Sequence, residues 1–542
     1  MLTTVYGAKC IGIEAVPVAV EIDIASGIGI HLVGLADAAV KESLLRTVTA
    51  MQSMGYRIPG KKIVINLAPA DMHKKGSGYD LPIAVGIIAA SAQERLPLSG
   101  KFIIMGELGL DGTVRPVPGA LPIAELASIK GFDGCILPFE SAAEAAGYDL
   151  TKLYGVKTLS DVIHILNDED REQWSVKRGA PPAGQKVLPA GPDPAGNSPI
   201  QWPHGMQDTI SRMETGTDTG DDIMDFSEIV GQEGAKRGLE IAAAGGHNVI
   251  MVGPPGAGKS SLARAMVRIL PPMDREEALQ TSKIYSVAGK GRLGNGFSCR
   301  RPFRSPHYST SVAALIGGGS DNILPGEISL AHNGVLFLDE FCEAPKRVTE
   351  ALRAPVEEKR VTISRLKVKI EYPANFMLIA ATNPCPCGYY GDGDRCTCSP
   401  ARRMAYLSRL SGPMMDRIDI HLWLKPVNAR SIVRKECAEP SRAIAERVSR
   451  ARYLQMERFS AEGIRTNSEM NGRQIKEYCR LSPECRDFLE KAVERTGMSA
   501  RACNRILKIA RTIADLQEDT EIGLAHLSEA ISYRFLDKPD IL

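Results

Sequence analysis

Three short apolar runs in the middle of the chain each end on polar residues. Val249–Val252 runs into a glycine-rich turn, Gly334–Leu338 stops at Asp339-Glu340, and Phe376–Thr382 stops at Asn383. Runs of this length between turn signals read as strands buried on both faces. Polar groups at a common strand end fit an open parallel sheet with its site along that edge. Glu228–Ala244 is spaced as a helix leading into the first run, and Ile418–Leu424 predicts a further strand. Residues 1–166 have another rhythm. Val16–Ile24, Ile63–Leu67 and Phe102–Gly106 predict strands, whereas Ala36–Met54, Asp80–Gln93 and Leu121–Lys130 predict helices, together an α+β domain. Helical periodicity returns from Asn428 and is strongest in Pro483–Arg495 and Ser499–Leu516, which predicts a separate helical domain. Arg178–Asp222 is rich in Pro, Gly, Asp and Thr without apolar periodicity and reads as a flexible linker, with Trp174 and Trp202 as weak anchors. The expected domains are 1–167, a linker at 168–225, an α/β nucleotide-binding core at 226–427 and a helical region at 428–542.

The turn after Val252 is Gly253-Pro254-Pro255-Gly256-Ala257-Gly258-Lys259-Ser260, and Ser261 continues into a helix. Strand, glycine-rich turn and helix in that order make a phosphate-binding P-loop. Glycines let backbone N–H groups turn inward on a polyphosphate, and the helix N-terminus adds its positive dipole end. Lys259 would reach the β- and γ-phosphates, and Ser260 would hold Mg²⁺. ATP with Mg²⁺ is therefore the expected cofactor pair.

Asp339 and Glu340 follow the P-loop by roughly eighty residues. Asp339 would hold Mg²⁺, and Glu340 would polarise the attacking water. Asn383 is placed to hydrogen-bond the γ-phosphate or that water, although Asn at a strand end is also a common turn former. Arg417, in a loop before Ile418–Leu424, suits an arginine finger reaching a neighbouring subunit. Arg501, opening a later helix, suits a phosphate contact from above. Both compete with ordinary ion-pair roles, and Arg409 and Arg505 are neighbouring alternatives.

These pieces, in this order, resemble the AAA+ superfamily. Pro325–Phe341, Arg301-Pro-Phe-Arg-Ser-Pro-His307, Thr382-Asn-Pro-Cys-Pro-Cys-Gly388 and Ser499–Lys508 narrow the likeness to its magnesium-chelatase-like branch, nearest the bacterial ComM (YifB-type) competence proteins. The likeness covers nearly the whole chain. One departure is Tyr308, where that family has a second histidine. The resemblance implies a P-loop core with a C-terminal helical lid, preceded by a domain with the Lon-proteolytic (S5-like) fold. In that first domain Asp80 falls where the peptidase serine would be, and the peptidase lysine falls near Leu121. Without a serine–lysine dyad no nucleophile is activated, so an inactive peptidase fold is expected. Ser77 lies close by and does not restore the pair.

Four of the twelve cysteines form Cys385-x-Cys387-x₈-Cys396-x-Cys398. They supply enough thiolates for one tetrahedral Zn²⁺, although C-x-C is tighter than the usual zinc spacing; free or redox-active cysteines are the alternative. Lys359–Ile370 reads as a hairpin with polar, largely basic positions alternating with apolar ones. From charge alone a solvated hairpin and a basic surface loop serve nearly as well; the family position directs the hairpin, and the Gly- and Arg-rich segment from Lys290, toward a ring pore. Arg365, Lys367, Lys369 and Arg292 are the candidate contacts to DNA backbone.

Composition adds limits. Lys and Arg number 66 against 64 Asp and Glu, so net charge does not point to nucleic acid. Residues 168–225 hold eleven acidic and five basic side chains, which leaves the rest of the chain at +8 out of a total of +2. Met1–Ser26 lacks the long apolar stretch of a signal peptide, and Leu81–Ala92 is too short to span a bilayer. A reducing cytoplasm with no membrane partner is expected. The resemblance implies a homo-hexameric ATPase acting on single-stranded and branched DNA by helicase or branch-migration chemistry, in natural transformation and homologous recombination, with recombination proteins as further partners. A chelatase motor subunit and an ATP-gated, non-enzymatic scaffold are the alternatives.

Overall fold

The computed structural model describes residues 2–34, 38–72, 74, 76–169, 171–176, 224–291, 299–319, 323–365, 368–392, 395–426 and 438–537. Most of the expected linker, Trp202, Arg292 and Lys367 lie outside the described residues, as does the side chain of Arg365.

The first region is built on a seven-stranded mixed sheet in the order Gly29–Val33, Lys62–Ala68, Glu14–Ala25, Thr3–Ile11, Phe102–Ile104, Gly134–Pro138, Leu153–Val156. Thr3–Ile11 and Glu14–Ala25 form an antiparallel hairpin, with Val5 opposite Val20. From Thr3–Ile11 to the far edge at Leu153–Val156 the pairings are parallel. Helix Asp80–Ala90 is buried on nearly every side, which explains why its sequence reads as an unbroken apolar run. It packs against the hairpin strands and helix Ala38–Ser53, and Gly86 has no room for a side chain because a Cβ there would lie 2.4 Å from Ile22.

The middle region holds five parallel strands in the order Phe303–Arg304, Val335–Leu338, Met377–Thr382, Val249–Val252, Ile420–Trp423. Their side chains alternate between two cores. Val249, Met251, Phe337, Ile379 and Leu422 face one way, and Ile250, Val252, Leu336, Leu338 and Leu378 face the other. The expected approach helix begins at Glu233 rather than residue 228. Phe226–Glu228 is a separate 3₁₀ turn capped by Asp225, and Gln232 has a left-handed backbone that breaks the run.

The C-terminal helices do not close a core of their own. Ile444 and Val448 of Ser441–Arg458, and Ile506, Ile509 and Ile513 of Ala500–Leu516, join the same apolar cluster as the first sheet face. Helices Glu233–Gly245 and Lys259–Ile269 form the layer between. Helical periodicity discloses an apolar stripe but not the partner that covers it.

The first region docks on helix Arg275–Val287. The Gly119 amide donates to the Ser286 carbonyl (3.0 Å), Tyr148 Oη meets Ser282 Oγ (2.5 Å), and Lys283 pairs with Glu125. Among the described residues, no helix is long and apolar enough to cross a membrane.

Candidate nucleotide site

The P-loop turn rests on three glycines with distinct roles. Gly256 (φ 77°) and Gly258 (φ 87°) occupy the left-handed region that other residues avoid. Gly253 allows close approach, since a Cβ there would lie 2.8 Å from Leu424 Cβ. Gly258 caps the helix Lys259–Ile269, whose first internal bond runs from the Leu262 amide to the Gly258 carbonyl (2.9 Å). The amides of Lys259, Ser260 and Ser261 are thus the helix-opening donors that have no partner within the helix. Pro254 and Ala257 are buried, while Pro255 and Gly256 form the exposed lip.

Three strand ends converge on this turn. Lys259 Nζ donates to Asn383 Oδ1 (3.0 Å) and to the carbonyls of Gly253 (2.6 Å) and Pro254 (3.2 Å). Burial pushes the Lys259 pKa down, and Asp339 and Glu340 oppose that shift. Ser260 Oγ donates to Asp339 Oδ2 (2.9 Å). A hydroxyl and a carboxylate side by side offer the oxygen donors that a hard divalent cation takes. Glu340 is exposed, two residues beyond the strand end, and carries a left-handed φ of 50°, an uncommon state for glutamate.

Arg417 and Arg501 are not brought to this edge. Arg417 precedes strand Ile420–Trp423, so it stands at the amino ends of the parallel strands, whereas the P-loop stands at their carboxyl ends. Its guanidinium pairs with Glu357 and donates to the Pro413 carbonyl (2.7 Å). Arg501 Nη1 donates to Asp416 Oδ2 (3.2 Å), and Arg505 pairs with Asp419. Helix Ala500–Leu516 therefore grips the Asp416–Asp419 segment on both sides of Arg417. Burial pushes the Asp419 carboxyl up, but Arg505 and His247 outweigh it and hold the group well below the usual carboxylate range. Arg409 bonds Glu343 (2.8 Å). Asp416 and Asp419 carry no motif signal of their own; their i, i+3 spacing opposite Arg501 and Arg505 at i, i+4 is the only sequence trace of this grip.

Several residues of the longer motifs prove to be architectural. Arg301 donates to the carbonyls of Pro271 (2.6 Å) and Asn333 (2.8 Å) and to Glu277 (2.9 Å). Arg304 makes a two-pronged pair with Glu327 (2.6 and 2.7 Å). His332 Nδ1 accepts from the Asn375 amide (3.0 Å), and Asn333 (φ 58°) bonds the Glu277 carbonyl (3.1 Å). Together they fix the loop that feeds the strand ending at Asp339.

The four thiols Cys385, Cys387, Cys396 and Cys398 converge, with all four sulfurs within 4.8 Å of one another. In the expected hairpin, Arg360–Arg365 pairs antiparallel with Val368–Pro373. Its apolar face, Val361, Ile363 and Tyr372, is buried in the second core. On its polar face Lys369 bonds Glu371 (3.3 Å), and Arg360 lies near Glu358 (3.5 Å) and Glu371 (3.6 Å), so part of the positive charge is already paired. In the first region Asp80 is fully buried against Arg46 (3.0 Å) and the Leu108 amide (3.2 Å), and Ser77 pairs with Glu107.

A five-stranded parallel sheet with a P-loop, a strand-end carboxylate pair and a helical cap defines a P-loop ATPase of the magnesium-chelatase class. Models of magnesium chelatase subunit ChlI match residues 225–432 and 20–141, and the model of its C-terminal part matches 438–534. The chain is 39% identical to YifB of Salmonella typhimurium over 99% of this chain and 98% of that protein. It is 39% identical to the competence protein ComM of Haemophilus influenzae over 98% and 97%. The 38 kDa magnesium-chelatase subunit of Rhodobacter capsulatus is 25% identical over 30% of this chain. The chain belongs to the ComM/YifB family of magnesium-chelatase-like ATPases.

Proposed function

We propose that the chain is an ATP-driven motor that assembles head to tail into a homo-hexameric ring and moves single-stranded or branched DNA, as a helicase or branch-migration enzyme in transformation and recombination. One observation carries the reading: the nucleotide groups and the two arginines sit at opposite ends of the same strands. Lys259, Ser260, Asp339, Glu340 and Asn383 form one half-site, and Arg417 and Arg501 form the other. A guanidinium at the amino ends of the strands does not reach a phosphate at the carboxyl ends of its own sheet. A heterologous interface, which closes into a ring, lets each arginine pair meet the neighbour's nucleotide.

In this reading the P-loop amides and Lys259 hold the phosphates. Ser260 and Asp339 would hold the Mg²⁺ that accompanies ATP and neutralises developing charge. Glu340 orients the lytic water, and Asn383 holds the γ-phosphate or that water. The first domain, 1–167, is read as a Lon-like fold without peptidase chemistry, because Asp80 is committed to Arg46. The core (226–427) and lid (428–542) act as one body over their shared apolar layer.

DNA as the substrate is supported by the basic positions that the sequence places along the hairpin segment, Arg365, Lys367 and Lys369, by Arg292, and by the competence role that the name of the Haemophilus relative carries. A chelatase motor is the second reading. It is disfavoured because individual chelatase subunits align with only 30% of the chain, whereas ComM and YifB align with nearly all of it; the ChlI models themselves match in three separate pieces. A non-hydrolysing scaffold would have no use for Glu340. The test is the ATP hydrolysis rate with and without forked DNA. DNA-stimulated hydrolysis is expected; hydrolysis indifferent to DNA sinks the motor reading, and negligible hydrolysis favours the scaffold.

A further inference from the structure

The four cysteines lie beside the nucleotide edge rather than on a remote surface. Their sulfur separations are 3.3 Å (Cys385–Cys387), 3.7 Å (Cys385–Cys396) and 3.6 Å (Cys387–Cys396). A disulfide needs about 2.05 Å. A tetrahedral zinc tetrathiolate with Zn–S of about 2.3 Å has sulfur–sulfur edges of about 3.8 Å. The observed spacing is that of a metal site, and a cage of four thiolates selects zinc over hard cations.

The segment that carries the thiols touches the pocket at several points. Cys385 follows Asn383 by two residues. Gly388 (φ 86°) passes over the lip of the P-loop so closely that a Cβ there would lie 3.1 Å from Pro255 Cδ and 3.9 Å from Asn383 Cγ. Gly391 lies against the Trp423 ring, where a Cβ would stand 3.3 Å away, and Tyr390 meets that ring edge-on at 6.1 Å. Arg403 stacks on Tyr390 at 3.9 Å. Ser399, next to Cys398, caps the helix Pro400–Leu407 that leads toward the Arg417 loop.

We propose that Cys385, Cys387, Cys396 and Cys398 bind one Zn²⁺ per chain, and that this zinc loop braces the nucleotide pocket by pinning Asn383 and the Pro255 lip of the P-loop. Among the described residues, the segment between the two cysteine pairs has no strand or long helix to hold it. A metal cross-link supplies the rigidity that hydrogen bonds alone give weakly in a short irregular loop. The brace half of the proposal rests on the reading of the P-loop as an ATP site; the zinc half does not.

The experiment uses the full chain purified without added metal. Elemental analysis should find about one zinc per chain. The C396S/C398S double variant should lose it, and C503S should keep it. Binding of a fluorescent ADP analogue to wild type, to zinc-stripped wild type and to zinc-restored wild type reads the brace, with circular dichroism confirming that the stripped chain stays folded. Zinc removal should weaken nucleotide binding roughly ten-fold, because the freed Pro255 lip no longer holds the P-loop amides preorganised for the phosphates, and zinc return should restore it. Absence of zinc together with failure to take up Zn²⁺ or Co²⁺, or recovery of the four cysteines as two disulfides, overturns the site. Zinc removal that leaves nucleotide affinity unchanged overturns the brace. If the double variant fails to fold, the stripped and restored wild type still decides. A zinc-loaded wild type that binds no nucleotide refutes the brace and the ATP reading while the zinc count stands.

Discussion

Lys259 Nζ stands 3.0 Å from Asn383 Oδ1, which ties the P-loop lysine to the end of the adjacent strand. The lysine is buried, and its other partners are the loop carbonyls of Gly253 and Pro254. Asn383 is thus placed on the same charge that would meet the γ-phosphate. Asn383→Ala should leave nucleotide affinity within a few-fold of wild type and lower kcat by about 10²-fold, the scale for losing one preorganised donor. Lys259→Ala should abolish nucleotide binding. Equilibrium binding and steady-state hydrolysis measured together check both. Equal loss of affinity in the two variants would make Asn383 a binding residue only.

Arg417 sits at the far end of the strands from Lys259, so its effect on hydrolysis should be exerted on a neighbour. Arg417→Ala should cost about 10³-fold in kcat, the low end for an arginine finger. Mixing Arg417→Ala with Lys259→Ala subunits should then restore hydrolysis, because some interfaces pair an intact P-loop with an intact arginine. Absence of any recovery in mixed assemblies would place Arg417 outside the site.

Burial, with Arg301 nearby, holds His332 neutral and lowers its pKa to about 4. The unfolded chain binds a proton there from about 6.5 downward, while the folded chain does so only near 4. Stability is therefore full above pH 6.5 and is lost as pH falls from 6.5 to about 4, by about 3 kcal/mol for this group. His247 and His421 are also buried, and burial likewise lowers both. Thermal melts at pH 7.5, 6 and 5 should show falling midpoints. His332→Gln should lower the midpoint at pH 7.5 yet flatten its slope with pH. An unchanged slope would contradict the assignment.

Lys369 is two-thirds exposed, and its ion pair to Glu371 is a surface pair worth under about 1 kcal/mol. Replacing it together with Arg365 by alanine should therefore leave the fold and basal hydrolysis intact. It should also weaken DNA binding and lower the salt slope of log Kd by about one per lost phosphate contact. Titration of labelled single strands at several salt concentrations reads this directly. No change in affinity or slope would remove the hairpin from the DNA path.

The strands with the least ambiguous chemistry were the most legible. Val249–Val252 has the same bounds in sequence and structure, because four apolar residues before a glycine turn have few other arrangements. Thr3–Ile11 was not legible as a strand, since Tyr6, Gly7, Lys9 and Cys10 interrupt its apolar pattern and its partner across the hairpin supplies the register. The P-loop residues, Asp339 and Asn383 stand out in the sequence, and the fold brings them together. The grip of Arg501 and Arg505 on Asp416 and Asp419 was hidden because it joins residues about 85 positions apart. The shared core of lid and sheet was hidden for the same reason. His332 and Asn333 stand out as motif residues, yet their buried bonds to Asn375 and Glu277 give them a structural task.

The most direct measurement of the central claim is branch migration on a synthetic three-way junction with ATP and Mg²⁺, comparing wild type with Glu340→Gln. ATP-dependent strand exchange is expected from wild type and none from Glu340→Gln, which should still bind ATP and DNA. Hydrolysis by wild type without movement of the junction, or movement by Glu340→Gln at the wild-type rate, would contradict the claim.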